Sequence, residues 1–399
     1  MRHTQTEQDV LDDPVDFGSA EFLRSPWPVY SRLRESAPVH WSARTRAFLL
    51  VRHKDVTAAL ADRRLATDFP MRISRRLFGP TMLDADGPAH RRMRQMFTPL
   101  LGPTAMAGYG AQMIAEVVGE VLDALGGKDF DFMQQVAERL PYALAARWIG
   151  LPPGDVDWLR PRTVPLAAAI DFPTGSLPAA RTAMAELSGY LAEATRIPRP
   201  IGGPPTLLSV LAENKADQNE SEFLSTVILF LLAGTETSVG VIGTIMYALL
   251  AHGVPFARWR DREYRRAAIQ ETMRWEPPTH TIARYATTDM EIGGVPIRRH
   301  SAVLLSLASA NRDGTVFTDP DTWRPGRQAH RSLAFGSGPH TCLGIHLAQA
   351  ELDVLFERLA ERYDAMHWTG APPVLSGHAF RGPDQLTLHA EPAPTSKER

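Results

Sequence analysis

The sequence predicts a mainly α-helical fold with small β-sheets, and three observations support this prediction. Apolar residues recur at helical spacing over most of the 399 residues. Strand-like segments are few, and they do not alternate with helices as βαβ units would require. Residues 223–251 form a long apolar run whose only charge is Glu236. We therefore expect residues 1–399 to form one large helical domain.

The predicted elements follow the apolar periodicity along the chain. The helices are Trp27–Ser36, His53–Ala61, Ala89–Leu101, Tyr109–Leu125, Phe132–Trp148, Leu177–Thr195, Ser221–Ala251, Arg262–Trp275 and Leu343–Tyr363. The predicted strands are Val39–Trp41 with Ala47–Val51, Met290–Ile297 with Ala302–Ser306, and Gln385–His389. Residues 152–205 hold ten of the 32 prolines. Because proline interrupts helices, this segment predicts a helix–loop–helix lid on the domain.

Composition and charge exclude several classes of protein. With 44% hydrophobic and 22% charged residues the chain is globular in type. Its 43 basic and 45 acidic residues nearly cancel, which disfavours binding to nucleic acid or to an anionic membrane. The single cysteine excludes disulfides within the chain and metal sites that need several thiolates. The first ten residues are polar and unlike a signal peptide, so we expect a cytoplasmic protein.

The apolar run 223–251 has two interpretations. It exceeds the roughly 20 apolar residues that a membrane span requires. However, Glu236 lies in the middle of the run between Thr235 and Thr237, where lipid would penalise a charge. No aromatic belt or basic cluster flanks the run closely. A helix buried in the centre of a large helical protein therefore explains the run better.

The only cysteine, Cys342, lies in a glycine-rich loop that leads into an apolar-periodic helix. The N-terminus of a helix is expected to lower the pKa of this thiol, which suits a metal ligand or a nucleophile. Gly336, Gly338 and Gly344 leave space for a flat, bulky group such as a haem to approach the backbone. The alternative is an unreactive buried cysteine.

This loop resembles the haem-binding loop of the cytochrome P-450 family, F-x-x-G-x-x-x-C-x-G, and three other segments resemble further motifs of that family. The loop matches at Phe335, Gly338, Cys342 and Gly344. The other segments are the oxygen-activation motif at 233–237, the Glu-x-x-Arg pair with its later arginine, and the haem-bordering helix at 89–94. The resemblance covers about residues 86–352 and implies a haem buried between the long central helix and the helix after the cysteine loop.

The resemblance implies a role for each motif residue. The implied ligand of the iron of haem b is Cys342. The implied cofactor-binding residues are His90, Arg94, Ala233, Gly234, Arg284, Phe335, His340, Cys342 and Gly344. The implied catalytic residues for proton delivery are Glu236 and Thr237, whereas Glu271, Arg274 and Arg327 would hold the cysteine loop in place.

The implied activity is insertion of one oxygen atom from O2 into a small organic molecule, by hydroxylation or epoxidation in secondary metabolism. Electrons would come from a separate ferredoxin and its NAD(P)H-dependent reductase, and the protein would be a monomer. The expected substrate is mid-sized and largely apolar, and the expected pocket residues are Phe78, Met82, Ile170, Phe172, Phe230, Ala233, Thr279, His280, Ile282 and Phe380.

Several alternatives stay open at this stage. The same fold could catalyse oxidative coupling or a rearrangement, or could bind a ligand without turnover. A cysteine hydrolase would use Cys342 with His340 or His346. Two arginine clusters also have two interpretations each. The arginines at 72, 75 and 76 face solvent or turn one member inward to a substrate carboxylate, and those at 91 and 92 are solvated or attract an acidic ferredoxin.

Overall fold

The computed structural model describes residues 13–69, 72–171, 173–194, 204–214, 220–327 and 332–394. Helices make up most of these residues. They are α1 Ala20–Arg24, α2 Trp27–Ser36, α3 His53–Ala61, α4 Ile73–Phe78, α5 Gly87–Leu101, α6 Ala111–Asp123, α7 Arg139–Ile149, α8 Val156–Asp171, α9 Pro173–Ala194, α10 Leu207–Glu213, α11 Glu220–Ala251, α12 Arg262–Trp275, α13 Leu307–Asn311 and α14 Ile345–Arg362. Single-turn, 3-10 and π segments connect some of them, as at Pro103–Ala105, Met106–Gly110 and Met133–Ala137.

Strands form small sheets at the periphery of the helices. They are β1 Val39–Ser42, β2 Ala47–Leu50, β3 Leu65–Ala66, β4 Asp129–Asp131, β5 Thr281–Ala286, β6 Met290–Ile292, β7 Val295–Ile297, β8 Ala302–Ser306, β9 Tyr363–Trp368, β10 Leu375–Ser376, β11 Gly382–Pro383 and β12 Thr387–Pro392. The largest sheet has the order β1-β2-β8-β5-β3. Its β2–β8 pair is parallel and its other neighbours are antiparallel. The predicted fold class, mainly α with small sheets, is confirmed.

The long helix α11 runs through the main core. By length and composition alone it could cross a membrane, but 67% of its apolar window is buried inside the protein. Val227, Ile228, Ile242 and Ile245 on this helix are fully buried. The apolar run 223–251 is therefore explained by burial of most of this helix in the core, as expected for a central helix.

Strand pairing differs from the sequence prediction. Residues 290–297 are not one strand beside Ala302–Ser306, because Gly293 and Gly294 take positive φ angles of 60° and 82° and turn the chain back on itself. The strand β8 pairs instead with β2 and with β5, which the sequence analysis missed. A one-sequence pattern shows which segments are strand-like but does not show their partners.

The proline-rich segment is more regular than predicted. Helix α8 is continuous although Pro161 and Pro165 lie inside it. Each proline removes a backbone donor, but Leu159 and Leu166 are fully buried in the main core and hold the helix in place. Helices α8 and α9 pack against each other, and α8 also contacts α11.

Candidate active site

A tight loop positions Cys342 just before α14. The Cys342 N–H donates a hydrogen bond to the Phe335 carbonyl at 2.9 Å, which closes the loop. Gly338 has a φ of 75°, and a Cβ atom at this position would lie 2.8 Å from the Leu60 carbonyl oxygen. Only glycine meets both requirements, so the loop packs directly against the end of α3. This packing fixes the Cys342 sulfur relative to the rest of the fold.

A cavity separates Cys342 from the middle of α11. The Cys342 side chain is accessible although it lies deep in the molecule, because it faces this cavity. Ala233 and Gly234 line the same cavity and are exposed in the middle of a largely buried helix. A Cβ atom at Gly234 would meet nothing within 4 Å. The structure therefore leaves open space between the sulfur and the helix motif.

Cationic and imidazole groups gather around the same cavity. His90, Arg94 and His340 all line it. The His90 and His340 rings lie 4.1 Å apart, and His340 Nε2 is 3.0 Å from Asp86 Oδ1. Burial, followed by the nearby charges of His340 and Arg94, lowers the pKa of His90 to about 4. Asp86 thus faces an excess of donors and cations, an arrangement that suits a bound anion.

Arg284 is buried close to this group. Burial, together with the charge of Arg72, lowers the pKa of Arg284 to about 10. Its guanidinium donates to the Ala283 carbonyl at 2.9 Å. Arg72 is turned inward, 3.4 Å from Asp84. Of the three arginines at 72, 75 and 76, Arg72 is thus the one that approaches the interior.

A buried ionic network lies behind the cysteine loop. Both carboxylate oxygens of Glu271 accept hydrogen bonds from Arg274 at 2.8 Å, and Arg327 Nε donates to Glu271 Oε1 at 2.7 Å. Burial acts to raise the pKa of Glu271, but the two arginines outweigh it and hold the pKa below its ordinary value. The structure therefore brings together the three residues that the sequence analysis grouped.

Asn311 connects this network to the cysteine loop. Its carbonyl oxygen accepts a hydrogen bond from Arg274 Nη1 at 2.8 Å. Its side-chain Oδ1 accepts from the Leu333 N–H at 2.7 Å, and the Leu333 carbonyl accepts from the Gly336 N–H at 2.8 Å. Asn311 is fully buried at the end of α13. Asn311 was not among the predicted site residues, although a lone asparagine among apolar residues is a signal for a buried polar contact.

Glu236 and Thr237 point in different directions from α11. The Thr237 hydroxyl donates to the Ala233 carbonyl at 3.1 Å and remains accessible. Glu236 accepts hydrogen bonds from Tyr142 and Thr163 on α7 and α8. Burial raises the pKa of Glu236 in spite of these bonds. Adjacent helical residues do not share a face, which explains the divergence.

Comparisons with known proteins agree with this geometry. The family model described as cytochrome P450 matches residues 253–383. The cytochrome P450 monooxygenase PikC of Streptomyces venezuelae is 31% identical over 386 residues, which cover 91% of this chain and 90% of that protein. The chain belongs to the cytochrome P450 family.

Two further relatives of this P450 extend the comparison. Nocardicin C N-oxygenase of Nocardia uniformis subsp. tsuyamanensis is 30% identical over 406 residues, covering 97% of this chain and all of that protein. The crystal structure of P450BioI in complex with hexadec-9Z-enoic acid ligated acyl carrier protein matches with a TM-score of 0.85 and 28% identity. It covers 93% of this chain and 100% of that one. The protein is therefore an oxidoreductase of the cytochrome P450 monooxygenase class.

The residues of this P450 fit the haem–thiolate cofactor of its family. The accessible Cys342 sulfur faces the open space beside Ala233 and Gly234, which suits a flat group between them. The Arg94 guanidinium has no hydrogen bond or ion pair to a described residue, and Arg94 lines the cavity together with His90 and His340. The two propionate carboxylates of a haem need hydrogen-bond donors or cations as partners, and these three side chains are groups of that kind.

The thiol of Cys342 departs from the sequence expectation. Burial raises its pKa above the ordinary value, although the Gly344 N–H and the charge of Arg94 act to lower it. The expected lowering by the helix N-terminus is therefore wrong for the protein alone, because desolvation outweighs the local dipoles. A bound metal ion would deprotonate such a thiol. A nucleophilic cysteine, in contrast, needs a lowered pKa in the absence of a metal ion. Within the described residues neither His340 nor His346 hydrogen-bonds to the sulfur, which disfavours the hydrolase.

The expected substrate residues divide into groups. Met82, Phe230 and Ala233 line the cavity. Phe78 and Ile170 pack in or against the main core, and Phe380 is half-buried in the C-terminal turn. Phe172 lies outside the described residues. The sequence analysis missed other apolar lining residues, which include Leu83, Leu101, Leu144, Ala145, Trp148, Leu207, Leu229 and Leu347.

The remaining expected pocket residues make contacts elsewhere. His280 is 1% exposed, and its ring packs beside Trp27 at 5.3 Å. Ile282 packs against the separate apolar cluster of the five-stranded sheet. The Thr279 hydroxyl donates to the Ala379 carbonyl at 3.1 Å. These side chains pack in or near the sheet and the C-terminal turn, because β5 pairs along β8.

Glu351 is a further residue at the cavity that the sequence analysis missed. It lies on α14 and is 3% exposed. Burial raises its pKa to about 8, although a hydrogen bond from Ser238 at 3.2 Å acts to lower it. Its Oε1 atom has no hydrogen-bond partner among the residues that the structure describes. Nothing in the local sequence distinguishes this glutamate from the solvated ones on the same helix.

Proposed function

We propose that this P450 uses haem b to insert one oxygen atom from O2 into a mid-sized, largely apolar organic substrate of secondary metabolism. One observation carries the proposal: the accessible Cys342 lines the same cavity as the exposed Ala233 and Gly234 of the long helix. When bound, the haem supplies the reductive activation of oxygen and the oxygen-atom transfer. The proposed outcome is hydroxylation or epoxidation, with the other oxygen atom leaving as water.

The chain's own residues hold the cofactor in this proposal. Cys342 is the thiolate ligand, Phe335 screens the sulfur from water, and Gly344 lets the backbone approach. The proposed partners of the propionates are His90, Arg94, Arg284 and His340. The Glu271–Arg274–Arg327 network keeps the cysteine loop in position through Asn311.

Proton delivery is assigned to α11. The Thr237 hydroxyl holds a water in this proposal, since it is accessible and is bonded to the carbonyl of Ala233, a residue that lines the cavity. Glu236 passes protons toward that water from the outer side of the helix. Gly234 leaves space for oxygen because no side chain occupies that point.

The walls of the cavity and one relative support the substrate class. Leucine, methionine and phenylalanine side chains dominate the cavity beside a few polar groups. The relative named nocardicin C N-oxygenase indicates, by its name, an organic metabolite that is oxidised. We infer a cytoplasmic, monomeric, single-domain enzyme that receives electrons from a separate ferredoxin and its NAD(P)H-dependent reductase.

The proposed contact with ferredoxin changes in one respect. Arg92 was expected to point outward as part of a positive patch, but it forms an ion pair with Glu222 at 3.0 Å. This ion pair weakens the electrostatic attraction between Arg92 and an acidic ferredoxin. Arg91 is exposed and remains a candidate for the contact.

Absorption spectra test the proposed ligand. We expect the reduced, carbon monoxide-bound wild-type protein to show the Soret band of a thiolate-ligated haem, and Cys342→Ser to lose it. His346→Ala is a matched control, because His346 is an exposed neighbour of the same loop. A thiolate band that persists in Cys342→Ser would refute the assignment. Product analysis then separates oxygen insertion from oxidative coupling or rearrangement.

A further inference from the structure

Two hydroxyl groups outside the helix motif hold the acid of that motif. Glu236 Oε1 accepts a hydrogen bond from the Tyr142 hydroxyl and lies 3.3 Å from the Thr163 hydroxyl. Tyr142 is 1% exposed and Thr163 is fully buried, so both groups are shielded from water. The two hydroxyls also contact each other. The three side chains form one closed cluster between α7, α8 and α11.

The cluster extends toward the surface along α8. The Thr163 hydroxyl lies 3.1 Å from the Arg160 carbonyl, and the Arg160 guanidinium forms an ion pair with Glu138. The side chain of Arg160 is 45% exposed, so this pair meets solvent. The positive charge of Arg160 acts to lower the pKa of Glu236, and the negative charge of Glu236 acts to raise the pKa of Glu138. The solvent-exposed Arg160–Glu138 pair thus acts on Glu236 through its charges.

The inner end of the cluster is Glu236, three residues after Ala233, which lines the cavity. Glu236 immediately precedes Thr237, and its second oxygen, Oε2, has no hydrogen bond to a described residue. Since adjacent helical residues point to different faces, Glu236 must rotate to approach the Thr237 side. The Tyr142 and Thr163 hydroxyls determine how firmly the acid is held in its outward position.

We propose that Tyr142 and Thr163 are positioning residues for Glu236, whose hydroxyls hold this proton-delivering acid in its outward position. This inference rests on the proposed role of Glu236. Each hydroxyl keeps its own proton while it holds the acid, and Glu236 binds one proton and then releases it, so none of the three groups changes its charge over a full transfer. The proton comes from solvent water and leaves through Glu236 toward the cavity.

The electrostatics of the cluster give the expected direction of change. Burial raises the pKa of Glu236, while the hydroxyls of Tyr142 and Thr163 and the charge of Arg160 lower it. Glu138, held by Arg160, is the other charged group that interacts with Glu236. A tyrosine that donates to a carboxylate stabilises the charged form, so its loss raises the pKa of Glu236 further.

Infrared titration of the ferric holoenzyme tests this without a substrate. The protonated-carboxyl band of Glu236 is identified by its loss in Glu236→Gln. We expect Tyr142→Phe to move the midpoint of this band upward by about one pH unit. Thr163→Val should move it in the same direction, and Thr163→Ser should restore it. Tyr190→Phe is the matched control, because Tyr190 donates to a different carboxylate, Asp155, at 2.6 Å.

Substrate-free turnover with a surrogate ferredoxin and reductase gives the second measurement. The share of electrons recovered as peroxide rather than water should rise at least twofold in Tyr142→Phe and Thr163→Val, and stay unchanged in Tyr190→Phe. An unmoved band and an unchanged peroxide share in both cluster variants would overturn the inference. If Glu236→Gln itself leaves the peroxide share unchanged, the proposed role of Glu236 fails and the inference fails with it. If only Glu236→Gln raises that share, the role of Glu236 stands and the inference alone is refuted.

Discussion

Replacing Asn311 tests how the buried network holds the cysteine loop. In Asn311→Ala the Leu333 N–H loses its acceptor at 2.7 Å and is left unpaired in the interior. Such a group costs about 1–3 kcal/mol. Part of this cost is offset, because the buried Asn311 Nδ2 atom has no hydrogen-bond partner in the described part of the chain and disappears with the substitution. The hydrogen bond between Arg274 and the Asn311 carbonyl is retained because it uses the backbone.

We therefore expect a net loss of about 1–2 kcal/mol in the free energy of unfolding. For a chain of 399 residues the unfolding entropy makes this about 1–3 °C in Tm. The loop should also release its cofactor faster, because Leu333 supports the Gly336 turn. Thermal unfolding measures the first effect, and transfer of haem to apomyoglobin measures the second.

A matched control and a conservative variant sharpen the test. Asn214→Ala removes a half-buried asparagine that donates to the Val210 carbonyl far from the loop, so haem transfer should not change. Asn311→Asp keeps an acceptor for Leu333 and should retain haem better than Asn311→Ala. If Asn311→Ala releases haem at the wild-type rate, Asn311 does not connect the network to the loop.

Three further predictions follow from the site. Thr237→Ala should raise the share of electrons that leave as peroxide, since it removes the accessible hydroxyl; an unchanged share in substrate-free turnover would contradict this. Glu351 has a pKa of about 8 in the folded protein, above its unfolded value, so it contributes stability that is complete below about pH 4.5 and lost as the pH rises to about 8. Relative to wild type, the free energy of unfolding of Glu351→Gln should therefore rise by roughly 1.4 kcal/mol per pH unit between pH 6 and pH 8. Denaturant unfolding measures this; if the difference between the variant and the wild type did not depend on pH, the Glu351 carboxyl would already be ionised in the folded protein. Gly338→Ala should weaken haem retention severalfold, because it combines a φ of 75° with a Cβ atom 2.8 Å from the Leu60 carbonyl; normal haem transfer would refute the close packing of the loop.

Local pattern determined the parts of this protein that depend on neighbouring residues. The helix Arg262–Trp275 was predicted with its observed bounds, because its apolar residues repeat on one face between clear end signals. The single cysteine in its glycine-rich loop, the acid and threonine of the long helix, and the Glu271–Arg274 pair are each short motifs. Short motifs indicate a family because the chemistry requires those residue types at fixed spacing.

Only the tertiary structure decided what depends on distant partners and on burial. Tyr142 meets Glu236 across 94 positions, and Asn311 meets Leu333 across 22, so no local spacing could reveal either contact. The direction of the pKa shift of Cys342 was predicted wrongly from its helix N-terminus, because the depth of the cavity is a property of the packed fold. Arg72 and Arg76 are alike in sequence, yet one is turned inward to Asp84 and the other is exposed. Sequence supplies the chemical groups, and packing sets their partners, their desolvation and hence their charge.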